Sequence, residues 1–159
     1  KPIDFASPCL YGRQTNNMIA TGVLHLPQDS PVIQPLTSLF ETGAIPVWGP
    51  NRAQQLAREA MDKGEAVPWE TLRWGLTGPL ALTYYLEQYG LAHHAKPHSV
   101  FYPAEHGDAD WINDPTRALS EFVRDDTVAV HLWNEKIKGF KDKPAPAGSF
   151  LAQLQQEGA

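Results

Sequence analysis

The residues best suited to metal chemistry in this sequence are histidines and carboxylates between positions 93 and 110. His93, His94 and His98 lie close together, and Asp108 and Asp110 follow them. Imidazole and carboxylate groups both bind Zn²⁺ and other divalent ions. Their spacing matches no standard ligand pattern, and adjacent histidines are expected to point apart on a helix or a strand. A solvated loop is therefore favoured, and a zinc hydrolase built from this region is the third of three functional hypotheses.

The triplet Asp108-Ala109-Asp110 has the form D-x-D. Such a triplet can bind a divalent ion that in turn binds a diphosphate, because two carboxylates one residue apart converge on one side of a strand end. Here the triplet lies between Gly107 and Trp111 in a proline-rich loop, and no apolar strand precedes it. A surface loop is the favoured interpretation.

A further histidine, His131, lies in the stretch Thr127–Asn134, which reads TVAVHLWN. Its apolar residues alternate with Thr, Ala and His, which predicts a strand packed on a core. His131 and Trp133 would leave the end of this strand on the same face. The carboxyl ends of strands are where α/β proteins place chemistry, although a packed edge pair is the more common role of such residues.

Thr77, Gly78 and Pro79 predict the start of a helix that runs to Gly90, because Pro is favoured at the first helical position and Thr or Gly can precede it. Free backbone N–H groups at a helix amino terminus attract phosphate, and glycine lets a ligand approach the backbone. On local evidence a well-capped helix is favoured over a phosphate site.

Length and composition predict one globular domain over residues 1–159, since 42% of the residues are hydrophobic and 19% are charged. A net charge of −5 without a basic run argues against nucleic-acid binding. Cys9 is the single cysteine, so no intramolecular disulfide forms and an oxidising compartment has no support. The sequence predicts neither a membrane span nor a secretory signal.

The remaining periodic segments predict a mixed α/β fold. Strands are expected over Met18–Leu26, as a central strand, and over Val100–Tyr102, whereas Lys1–Arg13 is expected to be an extended loop. Further helices are expected to begin at the caps Ser30, Asn51, Asp114 and Ser149, and the first two of these to end at Gly43 and Gly64.

Five short motifs occur in a fixed order along the chain: GVLHLP at Gly22–Pro27, TGPLALT at Thr77–Thr83, FYP at Phe101–Pro103, VHLWN at Val130–Asn134 and GSFL at Gly148–Leu151. Together they resemble the carboxyl-terminal part of the α-1,4-glycosyltransferases, the group that contains Gb3 synthase-like enzymes with a D-x-D motif. The resemblance covers most of the chain.

The resemblance implies a GT-A type α/β fold with a mixed sheet flanked by helices, of which this chain is the carboxyl-terminal portion. It also implies a UDP-sugar donor, a divalent ion such as Mn²⁺, and retention of anomeric configuration. It makes His131 a metal ligand and places Trp133 and Asn134 beside the donor. Thr77, Gly78 and Pro79 match the family's segment near the sugar and diphosphate, and no catalytic carboxylate can be named.

The chain departs from the family at its amino terminus and at one strand residue. The family's D-x-D precedes the segment that here begins at Lys1–Phe5, so the resemblance implies that this motif and the nucleotide-binding half lie outside the chain. Thr21 stands where relatives tend to carry Asn.

The first functional hypothesis is therefore a metal-dependent glycosyltransferase, or its carboxyl-terminal part. It transfers a sugar from a UDP-sugar to a glycan or glycolipid acceptor, in the bacterial cytoplasm or peripherally at the inner membrane. The second hypothesis is a non-catalytic module in which Trp69, Trp74, Trp111 and Trp133 line a surface that binds a carbohydrate or a partner.

Overall fold

The computed structural model describes residues 8–158, which fall into two compact units. Residues 8–96 form the amino-terminal unit and residues 97–158 form the carboxyl-terminal unit. Together they give a mixed α/β fold with one small sheet and many short helices. The division does not test the prediction of a single domain.

The amino-terminal unit contains an antiparallel hairpin of β1 (Leu10–Thr15) and β2 (Met18–His25). The two strands are joined by a two-residue turn at Asn16-Asn17. The expected strand Met18–Leu26 is confirmed as β2. Its expected central position is wrong, since β1 is its one neighbour in the described sheet.

β1 was expected to be part of an extended loop, and this is wrong for its described residues. Pro8 and Gly12 obscure any alternation there, and the strand is stabilised by its neighbours instead. Lys96 extends its pairing, because Arg13 N–H donates to the Lys96 carbonyl and Lys96 N–H donates to the Tyr11 carbonyl, each over 2.9 Å. The expectation for Lys1–Ser7 lies outside the described residues.

Four α-helices follow in the amino-terminal unit: α1 (Ile33–Thr37), α2 (Leu39–Thr42), α3 (Asn51–Asp62) and α4 (Pro79–Gln88). Short 3₁₀ helices occupy Trp69–Thr71 and Ala92–His94. The predicted terminators are confirmed, since the backbone is left-handed at Gly43, Gly64 and Gly90, with φ of 60°, 71° and 67°.

Two of the expected caps in this unit are wrong. Asn51 is the first residue of α3, and Pro50 takes the cap position. Ser30 lies two residues before the Val32 cap of α1, and its buried hydroxyl has no hydrogen-bond partner in the described structure. The Ser30 backbone carbonyl starts the turn instead, by accepting the Ile33 N–H at 3.1 Å.

α3 buries its alanines (Ala53, Ala57 and Ala60), whereas Leu56 and Met61 are 37% and 43% exposed. The core of the unit lies between the hairpin and α4 and contains Tyr11, Ile19, Val32, Leu82 and Leu86.

The hairpin and α4 are also joined by a buried hydroxyl. Thr83 Oγ1 accepts the Ile19 N–H at 2.8 Å and donates to the Pro79 carbonyl at 2.6 Å.

The carboxyl-terminal unit is helical, and no strand occurs in its described residues. Its α-helices are α5 (His98–Phe101), α6 (Asn134–Ile137) and α7 (Phe150–Glu157), with 3₁₀ helices at His106–Asn113 and Leu119–Glu121. Its core consists of Ala104, Trp111, Ile112, Phe122, Ile137 and Leu151.

The strands expected over Thr127–Asn134 and Val100–Tyr102 are both wrong. Val100 and Phe101 belong to α5, and residues 127–133 run beside its end as irregular chain. The N–H groups of Val128 and Ala129 share the single Val100 carbonyl, at 2.9 and 3.1 Å. A helical turn offers no row of carbonyls, so the alternating sequence has no strand to pair with.

The two caps predicted in this unit have opposite outcomes. Ser149 caps α7 as expected, because its Oγ accepts the Ala152 N–H at 3.2 Å. Asp114 does not cap an α-helix. Its carboxylate accepts hydrogen bonds from the Thr116 N–H and hydroxyl, at 2.8 and 2.7 Å, and so closes a local turn.

None of the helices in the described residues is both long enough and apolar enough to cross a membrane.

Candidate functional site

Four ring-bearing side chains of the carboxyl-terminal unit pack together, and we call them the His131 cluster: Tyr102, His106, His131 and Trp133. The ring centroids of His131 and Trp133 are 4.6 Å apart, and Tyr102 lies 5.3 Å from His131 and 6.0 Å from Trp133. His106 meets the Trp133 ring edge-on at 5.3 Å. His131 and Trp133, expected on the same face of a strand end, are thus in contact, although no strand positions them.

Trp133 has the most unusual backbone in the cluster. Its φ of 51° is left-handed, and among residues 8–158 it is the one residue other than glycine with positive φ. This conformation costs about 1–2 kcal/mol for an L-residue. Two contacts oppose that cost: the indole Nε1–H donates to the Ala104 carbonyl at 2.8 Å, and the backbone N–H donates to His131 Nδ1 at 3.0 Å.

His131 is the half-buried polar group of the cluster. Its backbone N–H donates to the Phe101 carbonyl at 3.1 Å, which anchors the residue to the end of α5. Burial lowers the pKa of the imidazole, because removal from water disfavours the charged form. His131 is therefore neutral at pH 7, with one ring nitrogen engaged by Trp133.

Asn134 follows the cluster but takes a different role. It begins α6, is exposed, and accepts a hydrogen bond from Lys141 Nζ through its side-chain oxygen at 2.6 Å. Its expected place beside a donor stays a prediction.

Thr77, Gly78 and Pro79 lie in the amino-terminal unit and open α4 as predicted, with Gly78 at the cap and Pro79 at the first helical position. Thr21 of β2 faces them, since a Cβ at Gly78 would lie 3.9 Å from Thr21 Cγ2. The structure thus brings Thr21 to the same segment that the sequence motifs single out.

The amino end of α4 has few backbone donors left for a phosphate. Pro79 has no N–H, and the Leu80 N–H donates to the Gly75 carbonyl at 3.0 Å. The next N–H belongs to Ala81, a residue with no exposed surface. The phosphate-binding role expected for this helix end would therefore depend on rearrangement of the Gly75 turn.

The histidines and carboxylates of residues 93–110 do not assemble into a metal site. The rings of His93 and His94 pack with centroids 3.9 Å apart, so the expectation that they point apart is wrong; side-chain rotation brings them together on one 3₁₀ turn. Asp108 and Asp110 are exposed residues of the 3₁₀ helix His106–Asn113, and Asp108 Oδ1 lies 4.0 Å from Arg117 Nη1.

Within residues 8–158, no three His, Cys, Asp or Glu side chains are arranged to hold a metal ion. The described residues therefore do not supply a complete ligand set for the divalent ion that the family resemblance implies. The ion stays a prediction.

Two of the four tryptophans of the second hypothesis are buried within their unit. Trp111 and Trp133 are 1% and 8% exposed, so they cannot line a binding face, and this part of the hypothesis is wrong. Trp74 is 78% exposed and Trp69 is partly buried, both in the amino-terminal unit. The two buried rings provide the core that the short helices cannot supply.

Two features of this region were not predicted. One is that Tyr102 and His106 belong to the His131 cluster. The FYP motif, which contains Tyr102, was the sequence signal that could have indicated the position of Tyr102. A cavity of about 400 Å³ also lies at the amino end of α7, lined by Arg117, Phe150 and Gln153 among others, and it contains none of the predicted site residues.

In comparisons with known proteins, no family model, curated protein or solved structure matches this chain. The resemblance of its motifs to α-1,4-glycosyltransferases is therefore neither supported nor contradicted by relatives.

Proposed function

We propose that the chain is a glycosyltransferase, or the carboxyl-terminal part of one, that transfers a sugar from a UDP-sugar to a glycan or glycolipid acceptor. The observation that carries the proposal is the left-handed turn at Trp133, which presents a half-buried neutral His131 within the VHLWN motif. Strained backbone in a residue other than glycine is concentrated at ligand and active sites, where surrounding contacts maintain it.

The chemistry of the His131 cluster suits a donor nucleotide. An imidazole beside aromatic rings combines a polar group with apolar carbon, which is the usual composition of a ligand site. When a sugar leaves its nucleotide, negative charge develops on the departing diphosphate, and hydrogen-bond donors held in place stabilise that charge. A divalent ion, if bound, would supply further neutralisation of that charge.

The finer features of the proposal rest on the sequence motifs. They are a GT-A type fold, retention of configuration, and a place in the bacterial cytoplasm or at the inner membrane. The observed mixture of a small sheet and helices is compatible with the carboxyl-terminal portion of such a fold.

Calorimetric titration tests the proposal most directly. We expect UDP to release heat on binding to the chain, with and without Mn²⁺, and the His131→Asn variant to bind it more weakly. His98→Asn is the matched control, because His98 is an exposed histidine of the same unit. UDP release from UDP-glucose, UDP-galactose and UDP-N-acetylglucosamine then identifies the donor. A wild-type chain that gives no heat with UDP under either condition ends the proposal for this polypeptide.

A second candidate function is a non-catalytic binding module. The exposed aromatic side chains of the amino-terminal unit favour it. Trp74 is 78% exposed and Phe40 is 64% exposed, and rings of this kind can stack on sugars or pack on a partner. Trp74→Ala should abolish glycan binding under this function and should leave UDP binding unchanged under the first.

A further inference from the structure

We infer that His131 acts as a hydrogen-bond donor through Nε2, toward an anionic oxygen of its ligand, and that it is not a metal ligand. The role toward a diphosphate rests on the proposed function. The state of the ring itself does not, because it follows from a contact within the chain.

The contact is the hydrogen bond between Trp133 and His131. A backbone N–H can only donate, so at 3.0 Å His131 Nδ1 must be the acceptor and carries no proton. A neutral imidazole has one ring proton, which must then be on Nε2. Neither nitrogen of such a ring has a free lone pair for a metal ion.

Histidines that bind metals show the opposite arrangement. One ring nitrogen binds the ion, and the other keeps its proton and donates it to a carboxylate, a carbonyl or water. At His131 the group opposite Nδ1 is itself a donor. To bind an ion through Nε2, the ring would have to move its proton to Nδ1 and lose the Trp133 contact.

The surrounding turn keeps the ring in this state. The Trp133 N–H is aimed by a left-handed backbone that a second hydrogen bond, from the indole to Ala104, also maintains. A flip of the imidazole would place a carbon atom against the N–H and leave that donor without a partner. Burial lowers the pKa of His131 in addition, which keeps the ring neutral at pH 7.

The remaining Nε2–H defines what the cluster can bind. It is one neutral donor next to the rings of Tyr102 and Trp133, at distances of 5.3 and 4.6 Å between centroids. Such a donor suits an oxygen with negative charge, and a UDP-sugar offers its diphosphate oxygens there. The uncharged uridine part offers this donor only neutral acceptors, whose hydrogen bonds are weaker.

Nitrogen NMR of the wild-type chain, labelled at histidine, tests the ring state without any ligand. At pH 7.5 we expect the His131 ring proton on Nε2 and no selective broadening of its signals by Mn²⁺. A proton on Nδ1, or broadening confined to His131 at low Mn²⁺, would overturn the inference whatever the chain binds.

Two substitutions at His131 test the donor role. In His131→Gln the side-chain amide can donate near the position of Nε2, whereas in His131→Asn the amide oxygen replaces Nδ1 and no donor remains near Nε2. We expect His131→Asn to bind UDP about tenfold more weakly and uridine equally well, and His131→Gln to keep most of the UDP affinity.

The result that overturns the donor role is weakened UDP binding in both variants together with a Mn²⁺ requirement in the wild type. His98→Asn again serves as the control. A wild-type chain that binds no UDP overturns the diphosphate assignment together with the proposed function, and the NMR measurement then still decides whether His131 is a donor or a metal ligand.

Discussion

The two units use their large aromatic side chains in opposite ways. In the carboxyl-terminal unit Trp111 and Tyr102 are each 1% exposed, and Trp133 is 8% exposed. In the amino-terminal unit Trp74 and Phe40 are 78% and 64% exposed. Among the described residues, every large hydrophobic side chain that is exposed belongs to that unit: Leu24, Phe40, Val47, Leu56, Met61, Trp74 and Tyr89.

The difference follows from how each unit makes its core. The amino-terminal unit has a hairpin and α4, whose aliphatic side chains pack together and leave some large rings outside. The carboxyl-terminal unit has short helical turns, so large rings must fill the space between them. Its aromatic residues therefore provide stability, whereas the exposed ones of the other unit are available for binding.

The largest expected effect is the loss of Trp111. The centroid of this ring lies 5.0 Å from that of Phe150, on which it stacks, and 4.7 Å from that of Phe122, within the core of the carboxyl-terminal unit. Trp111→Ala should lower the free energy of unfolding by about 3–5 kcal/mol. Denaturant unfolding followed by circular dichroism measures it, with Trp74→Ala as the matched tryptophan control. A loss under about 1 kcal/mol would mean that the buried rings are not the core.

Tyr11 tests the comparison within the amino-terminal unit, because it is an aromatic residue that is buried there. Its hydroxyl donates to the Leu91 carbonyl at 2.9 Å, and burial with neighbouring Cys9 raises the pKa of Tyr11 from 10.0 to about 12. The pKa of Tyr11 is higher in the folded chain than in the unfolded chain. The burial of this hydroxyl therefore contributes fully to the free energy of unfolding below pH 10.0, and the contribution is lost as the pH rises through about 12.

That loss corresponds to about 2–3 kcal/mol of unfolding free energy. Denaturant unfolding measured between pH 10 and 12 should show the free energy of unfolding of the wild-type chain decline. In Tyr11→Phe the part of the decline that is due to this hydroxyl should be absent. An unchanged pH dependence in Tyr11→Phe would show that the hydroxyl is not buried in solution.

Two serines sharpen the comparison at a smaller scale. Ser149 caps α7, so Ser149→Ala should lower the unfolding free energy by about 1 kcal/mol. Ser30 has a buried hydroxyl without a partner, so Ser30→Ala should leave stability unchanged or raise it. Thermal unfolding of both variants checks the pair, and equal losses would contradict the assigned difference.

The smallest effect on stability is expected at Trp74. Because the ring is 78% exposed, Trp74→Ser should change the unfolding free energy by less than about 0.5 kcal/mol. If the exposed side chains serve binding, the same variant should lose its partner or glycan in a pull-down or glycan-array measurement. A loss of stability comparable to that of Trp111→Ala would contradict the proposed difference, in which buried rings stabilise one unit and exposed rings do not stabilise the other.

Features set by local chemistry were predictable from the sequence. The start of α4 at Gly78-Pro79, the glycine ends of three helices and the Ser149 cap depend on residues within one turn of one another. Position-specific backbone preferences are sufficient there.

Features that need a distant partner were not predictable. The alternation of Thr127–Asn134 favours a strand, yet the carbonyls it meets belong to the end of α5. His131 and Trp133 are two residues apart, so the sequence could relate them to each other. Tyr102 and His106 are distant in the sequence and could not be placed with them. Their contacts depend on the tertiary path of the chain.

The closeness of His131 to Trp133 gives the protein an optical signal of its own. An excited indole is quenched by a protonated imidazole in van der Waals reach, and the two ring centroids are 4.6 Å apart. The emission of this tryptophan is therefore expected to fall as acidic pH protonates His131. Protonation of His131 can thus be followed by intrinsic fluorescence, without a label.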